Sequence, residues 1–130
     1  MGDTKRVLVC VTQQKTCERL IKKGYAMSCE YNGELYVIHV AMNGVNFLGN
    51  SKEGEALEYL FDISKSVGAE LTVLRSDNIV KSIVAFSKDY GISDIVLGEP
   101  PDNSRDSNII SDLCRKLPSV SMHVVPPEKM

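Results

Sequence analysis

The sequence has no basic excess: 15 lysines and arginines stand against 17 acidic residues, giving a formal net charge of −2. A large phosphate-binding surface is therefore disfavoured, and no nucleic-acid partner is expected. No apolar run comes near the ~20 residues that a membrane helix needs, so membrane insertion is not expected either. The longest early run, Val7 to Val11, is too short for the apolar core of a signal peptide. The four cysteines (Cys10, Cys17, Cys29 and Cys114) form no C-x-x-C pair and no zinc-like ligand set. Cys10 lies in a strand pattern and the others lie in helix patterns, Cys17 and Cys114 on the apolar faces. They read as buried or part-buried thiols packing as small hydrophobes in a reducing compartment, which with no signal peptide places the chain in the cytoplasm.

Further absences narrow the fold families. No glycine occurs between Gly2 and Gly24, so a dinucleotide-binding G-x-G-x-x-G after the first strand is excluded. The P-loop pattern is missing, and Thr12-Gln-Gln-Lys-Thr16 is a poor flavodoxin-type phosphate loop. A phosphoacceptor receiver domain needs acidic residues after its first strand, where Thr12 and Gln13 stand, and an Asp after its third, where Arg75-Ser76-Asp77 follows. The His-x-Gly-His and Ser-Gly-Gly-x-Asp loops of nucleotidyl transferases are absent.

What is present is an ordinary globular composition, 43% hydrophobic and 25% charged over 130 residues, which suits one domain spanning 1–130. Strand and helix patterns alternate along it. Arg6 to Thr12 reads as a buried strand, short and β-branched. Cys17, Leu20, Ile21, Gly24, Met27 and Tyr31 recur at helical spacing, with Thr16 as the expected N-cap and Gly33 as the expected left-handed stop. Leu35 to Val40 is the second strand. A loop from Met42 to about Ser51 follows, with Asn50 and Glu53 at the spacing of a capping arrangement. With Gly44 and Gly49 this loop is a candidate lid.

The next helix runs to about Val67 with Leu57, Leu60, Phe61, Ser64 and Val67 inward, and Gly68 ends it. Leu71 to Leu74 is the third strand. Ser76 or Asp77 caps a helix to Tyr90 that packs on Val80, Ile83, Val84 and Ser87, and Gly91 ends it. Asp94 to Gly98 is the fourth strand. A last helix from Asp106 to Leu117 packs on Ile109, Ile110, Leu113, Cys114 and Leu117, and Ser121 to Val125 is the fifth strand. Three units share one logic: Gly33-Glu-Leu-Tyr-Val-Ile38, Gly68-Ala-Glu-Leu-Thr-Val-Leu74 and Gly91-Ile-Ser-Asp-Ile-Val-Leu97. Each stops a helix with glycine and enters a buried strand, as α/β layers do. Right-handed crossovers then give a parallel sheet covered on both faces, with ligands beyond the carboxyl ends of its strands.

The fourth-strand segment Asp94-Ile-Val-Leu-Gly98, the helix ending at Leu117-Pro118 and the closing Val-Ser-Met-His-Val-Val-Pro126 resemble the C-terminal half of a universal stress protein. Val7-Leu-Val-Cys-Val11 and Gly33-Glu-Leu-Tyr-Val-Ile-His-Val40 are similar to that family's opening βαβ unit. The closing segment from Leu117 and the opening run to Leu20 look most like the subtype found in Kdp-type potassium-sensing histidine kinases. The resemblance covers about Lys5 to Pro126. It implies an α/β, adenine nucleotide alpha hydrolase-like fold: a doubly wound five-stranded parallel sheet of order 3-2-1-4-5 with four helices.

The resemblance also implies a site. The ATP-binding branch of the family carries G-x-x-G, nine residues, then G-[S/T], whose backbone N–H groups cradle phosphates. Gly98 matches the first glycine, while Pro101, which has no N–H, stands at the second. Counting on directly puts Ser111-Asp112 at the final pair. Aligning on Pro118 instead keeps the helix stripe in place, puts Ser107 and Asn108 there and shortens the loop by four residues. Ser107 and Asn108 would offer hydroxyl, amide and helix N-terminal groups to an anion, beside Ser104 as a cap and Arg105 as the loop's cation. Thr12, followed by Gln13, replaces the family's nucleoside-contacting Asp; Val40 matches the adenine edge, and Leu97 and Gly98 the floor.

These departures imply a non-enzymatic regulatory module with a degenerate site for ATP or another adenine nucleotide, and a histidine kinase or transporter system as partner. Met122, His123, Val124 and Val125 form an edge strand through which the family resemblance implies a homodimer. His39 and His123 read as hydrogen-bonded histidines, because no Ser or Cys with an orienting acid accompanies them. Lys15, Arg19, Lys22 and Lys23 fall mostly on the outer face of the first helix.

Overall fold

The computed structural model describes residues 5–11, 14–44, 46–47, 51–98 and 106–126, without the side chains of 14–16 and 106–108. Among the described residues nine elements alternate: β1 (Arg6–Val11), α1 (Gln14–Tyr31), β2 (Glu34–Ala41), α2 (Glu53–Ser66), β3 (Glu70–Arg75), α3 (Ile79–Tyr90), β4 (Asp94–Gly98), α4 (Asp106–Lys116) and β5 (Ser121–Val125). The strands form one parallel sheet of order β3-β2-β1-β4-β5, as the family resemblance implies.

Alternate residues of each strand feed opposite faces. Val7, Val9, Val11, Val37 and Val96 pack with Leu20, Ile21 and Met27 of α1 and with Ala56 and Leu60 of α2. Leu8, Cys10, Ile38, Ile95 and Leu97 pack with Val80, Ile83 and Phe86 of α3 and with Leu113 of α4. Burial on both faces is why the inner strands are nearly continuous in apolar residues.

Helix α1 approaches β1 closely because Gly24 has no side chain. A Cβ there would lie 2.3 Å from Val9 Cγ2 and 3.3 Å from Leu35 Cδ1.

The repeated helix-to-strand unit is more uniform in space than in sequence. The N–H groups of Gly33, Ala69 and Ile92 donate to the carbonyls of Ser28, Ser64 and Ser87 at 2.8, 2.9 and 2.9 Å. These are the six-to-one bonds of a Schellman-type helix end. All three acceptors are buried serines. Gly68 and Gly91 take the left-handed conformation, at φ 70° and 61°, but in the first unit Asn32 takes it, at φ 54°. Gly33 is required for a different reason: a Cβ there would sit 2.3 Å from the Lys5 carbonyl oxygen, which accepts from the Glu34 N–H.

Other local expectations are corrected. Helix α1 begins at Gln14, so Thr16 lies inside its first turn and is not the N-cap. The N-cap of α3 is Asn78, whose side chain accepts from the Lys81 N–H at 3.0 Å, in place of Ser76 or Asp77. The N-cap of α2 is Lys52 with no side-chain cap bond, and Glu53 instead accepts from the Phe47 N–H at 2.8 Å; Asn50 lies outside the described residues. Phe61 is 54% exposed and Ala56 is buried in its stead. Leu57 and Val84 are only half-buried, and Phe86 takes a core place on α3. Cys29 and Cys114 are exposed, because each falls on the solvent side of its helix.

Replacing Gly24 with alanine forces α1 off β1. The expected cost is about 1–3 kcal/mol from overpacking, set against a helix-propensity gain of up to ~1 kcal/mol. Urea unfolding should show a lower midpoint at unchanged slope, and a stabilised variant would contradict this packing.

Candidate functional site

The direction in which successive strands are added to the sheet reverses between β1 and β4, and the two strands, though parallel, part there. Their pairing ends at Val9↔Val96, although β1 runs on to Val11 and β4 to Gly98. A crevice at such a switch point is where open α/β sheets bind ligands.

Val40, Leu97 and Gly98 are brought to this end of the sheet. Val40 and Leu97 are buried against the α3/α4 side. Gly98 faces α1: a Cβ there would meet only Leu20 methyls, at 3.6 and 3.8 Å. Among the described residues, packing therefore gives no reason for a glycine at that position. Ser107 and Asn108 fall in the first turn of α4, whose N-terminus lies at the same end, though their side chains are not described. Thr12, Gln13, Ser104 and Arg105, together with Pro101, lie outside the described residues.

A cluster beside the crevice went unrecognised in the sequence. His39 is 2% exposed, and its Nδ1 donates to the Val11 carbonyl at 2.8 Å, which places the proton of the neutral ring on Nδ1. Burial pushes the pKa of His39 below the ordinary 6.5; the Val11 carbonyl opposes this, and the Arg75 charge adds to it. The Phe47 ring lies 5.7 Å from the His39 ring. The Arg75 guanidinium stands over Phe47 at 4.1 Å and pairs with Glu53 at 2.7 Å. Arg75 also donates to the Met42 carbonyl at 3.4 Å. The end of β3 thus holds the described part of the candidate lid. Arg75 follows a strand in the sequence, but nothing local marks it as a clamp across distant segments.

A second polar cluster sits at the opposite end. Asp94, buried, accepts from Ser93 Oγ at 2.7 Å and pairs with His123 Nε2 at 2.9 Å. It also hydrogen-bonds the Tyr31 side chain, and burial together with the Asp94 charge raises the Tyr31 pKa. The acid is central here and the serine does not face the histidine, so this is no catalytic triad. Both histidines are hydrogen-bonded, as expected. On β5, Met122, His123 and Val125 are half-buried and Val124 is 41% exposed. On α1, Lys22 pairs with Glu18 at 3.0 Å, Arg19 donates to the Pro126 carbonyl and Lys23 is exposed. Among the described residues, no three His, Cys, Asp or Glu side chains converge to hold a metal ion, and no helix is long and apolar enough to cross a membrane.

Comparison with solved structures settles the architecture. A universal stress protein in complex with cAMP superposes with a TM-score of 0.72, covering 98% of this chain and 100% of the other at 12% identity. The chain has the universal stress protein fold. A universal stress protein from Archaeoglobus fulgidus in complex with dAMP matches with a TM-score of 0.59 over 98% of this chain and 100% of the other, at 17% identity. In sequence, the chain is 31% identical over 129 residues to a Synechocystis sp. protein described as sensor protein KdpD. That match covers 93% of this chain but 33% of the relative, so the chain spans about a third of its length. No protein-family model matches.

Two measurements check the site's electrostatics and burial. Because His39 has a lowered pKa in the folded state, its contribution to stability is present above about pH 6.5 and is lost as pH falls below that value. A His39→Gln variant should therefore show a flatter stability profile between pH 7 and 5 in urea titrations; an unchanged slope would contradict the assignment. Cys10 is buried with its thiol pushed up to about 12, and burial also raises Cys17. Ellman's reagent should label only Cys29 and Cys114 in the folded chain, and all four thiols in denaturant.

Proposed function

We propose that the chain is a non-enzymatic regulatory module of the universal stress protein type. In this reading residues 1–130 form one domain that acts by presenting a protein-binding surface and keeps a weakened site for adenine nucleotides. The observation that carries it is the likeness to a sensor protein KdpD along 93% of the chain. The departures at Thr12 and Pro101 support the weakened site, since proline removes an N–H from the phosphate cradle. The partner class is a histidine kinase or an associated transporter system in the cytoplasm. A homodimer through β5 belongs to the same proposal.

A second reading is favoured by Gly98. A glycine that packing does not demand suits close approach of a ligand to the backbone. The structural relatives in complex with cAMP and dAMP support this too. In this reading ATP or another adenine nucleotide lies across the ends of β1 and β4, and its occupancy controls a partner surface. Val40 meets the base, Leu97 and Gly98 floor the site, and the first turn of α4, which holds Ser107 and Asn108, faces the phosphates; in sequence Ser104 and Arg105 add a hydroxyl and a cation to the same loop.

Calorimetry with ATP, ADP, AMP and cyclic di-adenosine monophosphate separates the two. The first reading expects dissociation constants near millimolar or weaker for all four, and a Pro101→Gly variant that binds ATP at least tenfold more tightly. Micromolar affinity in the unaltered chain would replace it with the second reading. Sedimentation at micromolar concentration should show a dimer; a monomer would remove the homodimer from the proposal.

A further inference from the structure

A cavity of about 450 Å³ lies at the amino ends of β2 and β3, where α1 and α2 both end. It is separate from the crevice, which lies at the carboxyl ends of β1 and β4. Tyr25 and Cys29 of α1, Glu34 and Tyr36 of β2, Val67 after α2 and Glu70 of β3 line it. Its volume is that of a small-molecule site.

Among the described lining residues the charges are two glutamates, with no lysine, arginine or histidine. Glu34 Oε2 accepts from the Tyr36 hydroxyl at 3.0 Å, and Arg6 meets the other oxygen at 3.1 Å from outside the lining. Glu70 is exposed, with no ion pair among the described residues. Burial and the Glu34 carboxylate raise the pKa of Tyr36; Arg6 opposes this and the Glu70 charge adds to it. The two helix ends contribute partial negative charge, because their last carbonyls lack partners within the helix. The last turn of α1 has no basic residue, and Lys65 in that of α2 does not line the cavity.

The two carboxylates belong to one face of the sheet. Glu70 pairs in register with Tyr36, two residues after Glu34. Strand geometry sets the Cα atoms of the two glutamates about 8 Å apart. Two separated anions with apolar wall beside them suit a short hydrocarbon chain bearing several cations, whereas a bare metal ion would leave most of the volume unfilled. We propose that this cavity binds a short aliphatic polyamine. One ammonium group pairs with Glu70 and a second with Glu34, in charge-assisted hydrogen bonds. The methylene chain lies against Val67 and the exposed Tyr25 ring. The site is independent of nucleotide binding.

The test is calorimetry of the full chain with putrescine, beside alkylation of the exposed thiols by iodoacetamide. Cys29 lines the cavity, whereas Cys114 lies on α4 across the sheet and serves as an internal reference. Putrescine is expected to bind saturably and to slow alkylation of Cys29 at least fivefold, leaving Cys114 unchanged. Butylamine, with one cation, should bind at least tenfold more weakly. Glu70→Gln should weaken putrescine binding at least tenfold, and so should Tyr25→Lys, which puts a cation at the mouth; both positions are exposed. Circular dichroism checks that the variants fold, and Glu70→Gln decides the matter if Tyr25→Lys does not. Absence of binding, equal binding of butylamine, equal slowing of both thiols, the same protection by magnesium ions, or indifference to Glu70→Gln overturns the proposal.

Discussion

The burial of β1 on both faces is the constraint from which the rest of the architecture follows. Val7, Leu8 and Val9 have no exposure, and Cys10 and Val11 have almost none. A strand so enclosed needs a neighbour on each side and helices above and below. Here right-handed crossovers meet that need by winding outward to β2 and β3 and then returning across the sheet to β4 and β5. Helices α1 and α2 fall on one face and α3 and α4 on the other. The reversal beside β1 opens the crevice, so the place where a ligand can bind is a by-product of how the central strand is covered.

The rim of that crevice is built by different rules from the frame. Arg75, Glu53 and Phe47 come from three separate segments and meet through charge and ring contacts. The Arg75–Glu53 pair is about a third exposed on each side. Singly it is worth under ~1 kcal/mol. Its importance is positional: one guanidinium holds an ion pair, a ring and a carbonyl, and so ties the β2–α2 connection to the end of β3. His39 secures the neighbouring corner by donating to the last carbonyl of β1.

Much of this frame was legible in the sequence, because apolar periodicity and burial are the same physical fact. Strands β4 and β5 end where their apolar runs end, and Gly24 sits in the stripe that meets the sheet. Capping was less legible. Asn78, Ser76 and Asp77 are all capable N-caps, and only the backbone geometry chooses among them. Phe61 and Ala56 exchanged places for a similar reason: hydrophobicity favoured the phenylalanine, but close packing of α2 on the sheet favoured the smaller residue. The site was legible only as far as its strand ends. Val40, Leu97 and Gly98 arrive together because the topology carries them there. The Arg75 clamp depends on contacts between residues far apart in the chain, which no local pattern encodes.

The three helix ends built on Ser28, Ser64 and Ser87 have a consequence for the energetics of the frame. Each serine serves the fold through its backbone carbonyl and its small size, which lets the following strand begin directly beneath the helix. Only Ser28 finds use for its hydroxyl, donating to the Tyr25 carbonyl at 2.8 Å. The hydroxyls of Ser64 and Ser87 are buried without a partner among the described residues. A buried, unsatisfied hydroxyl costs about 1–3 kcal/mol. At two of these three seams the chain therefore buries a hydroxyl that its backbone bond does not require.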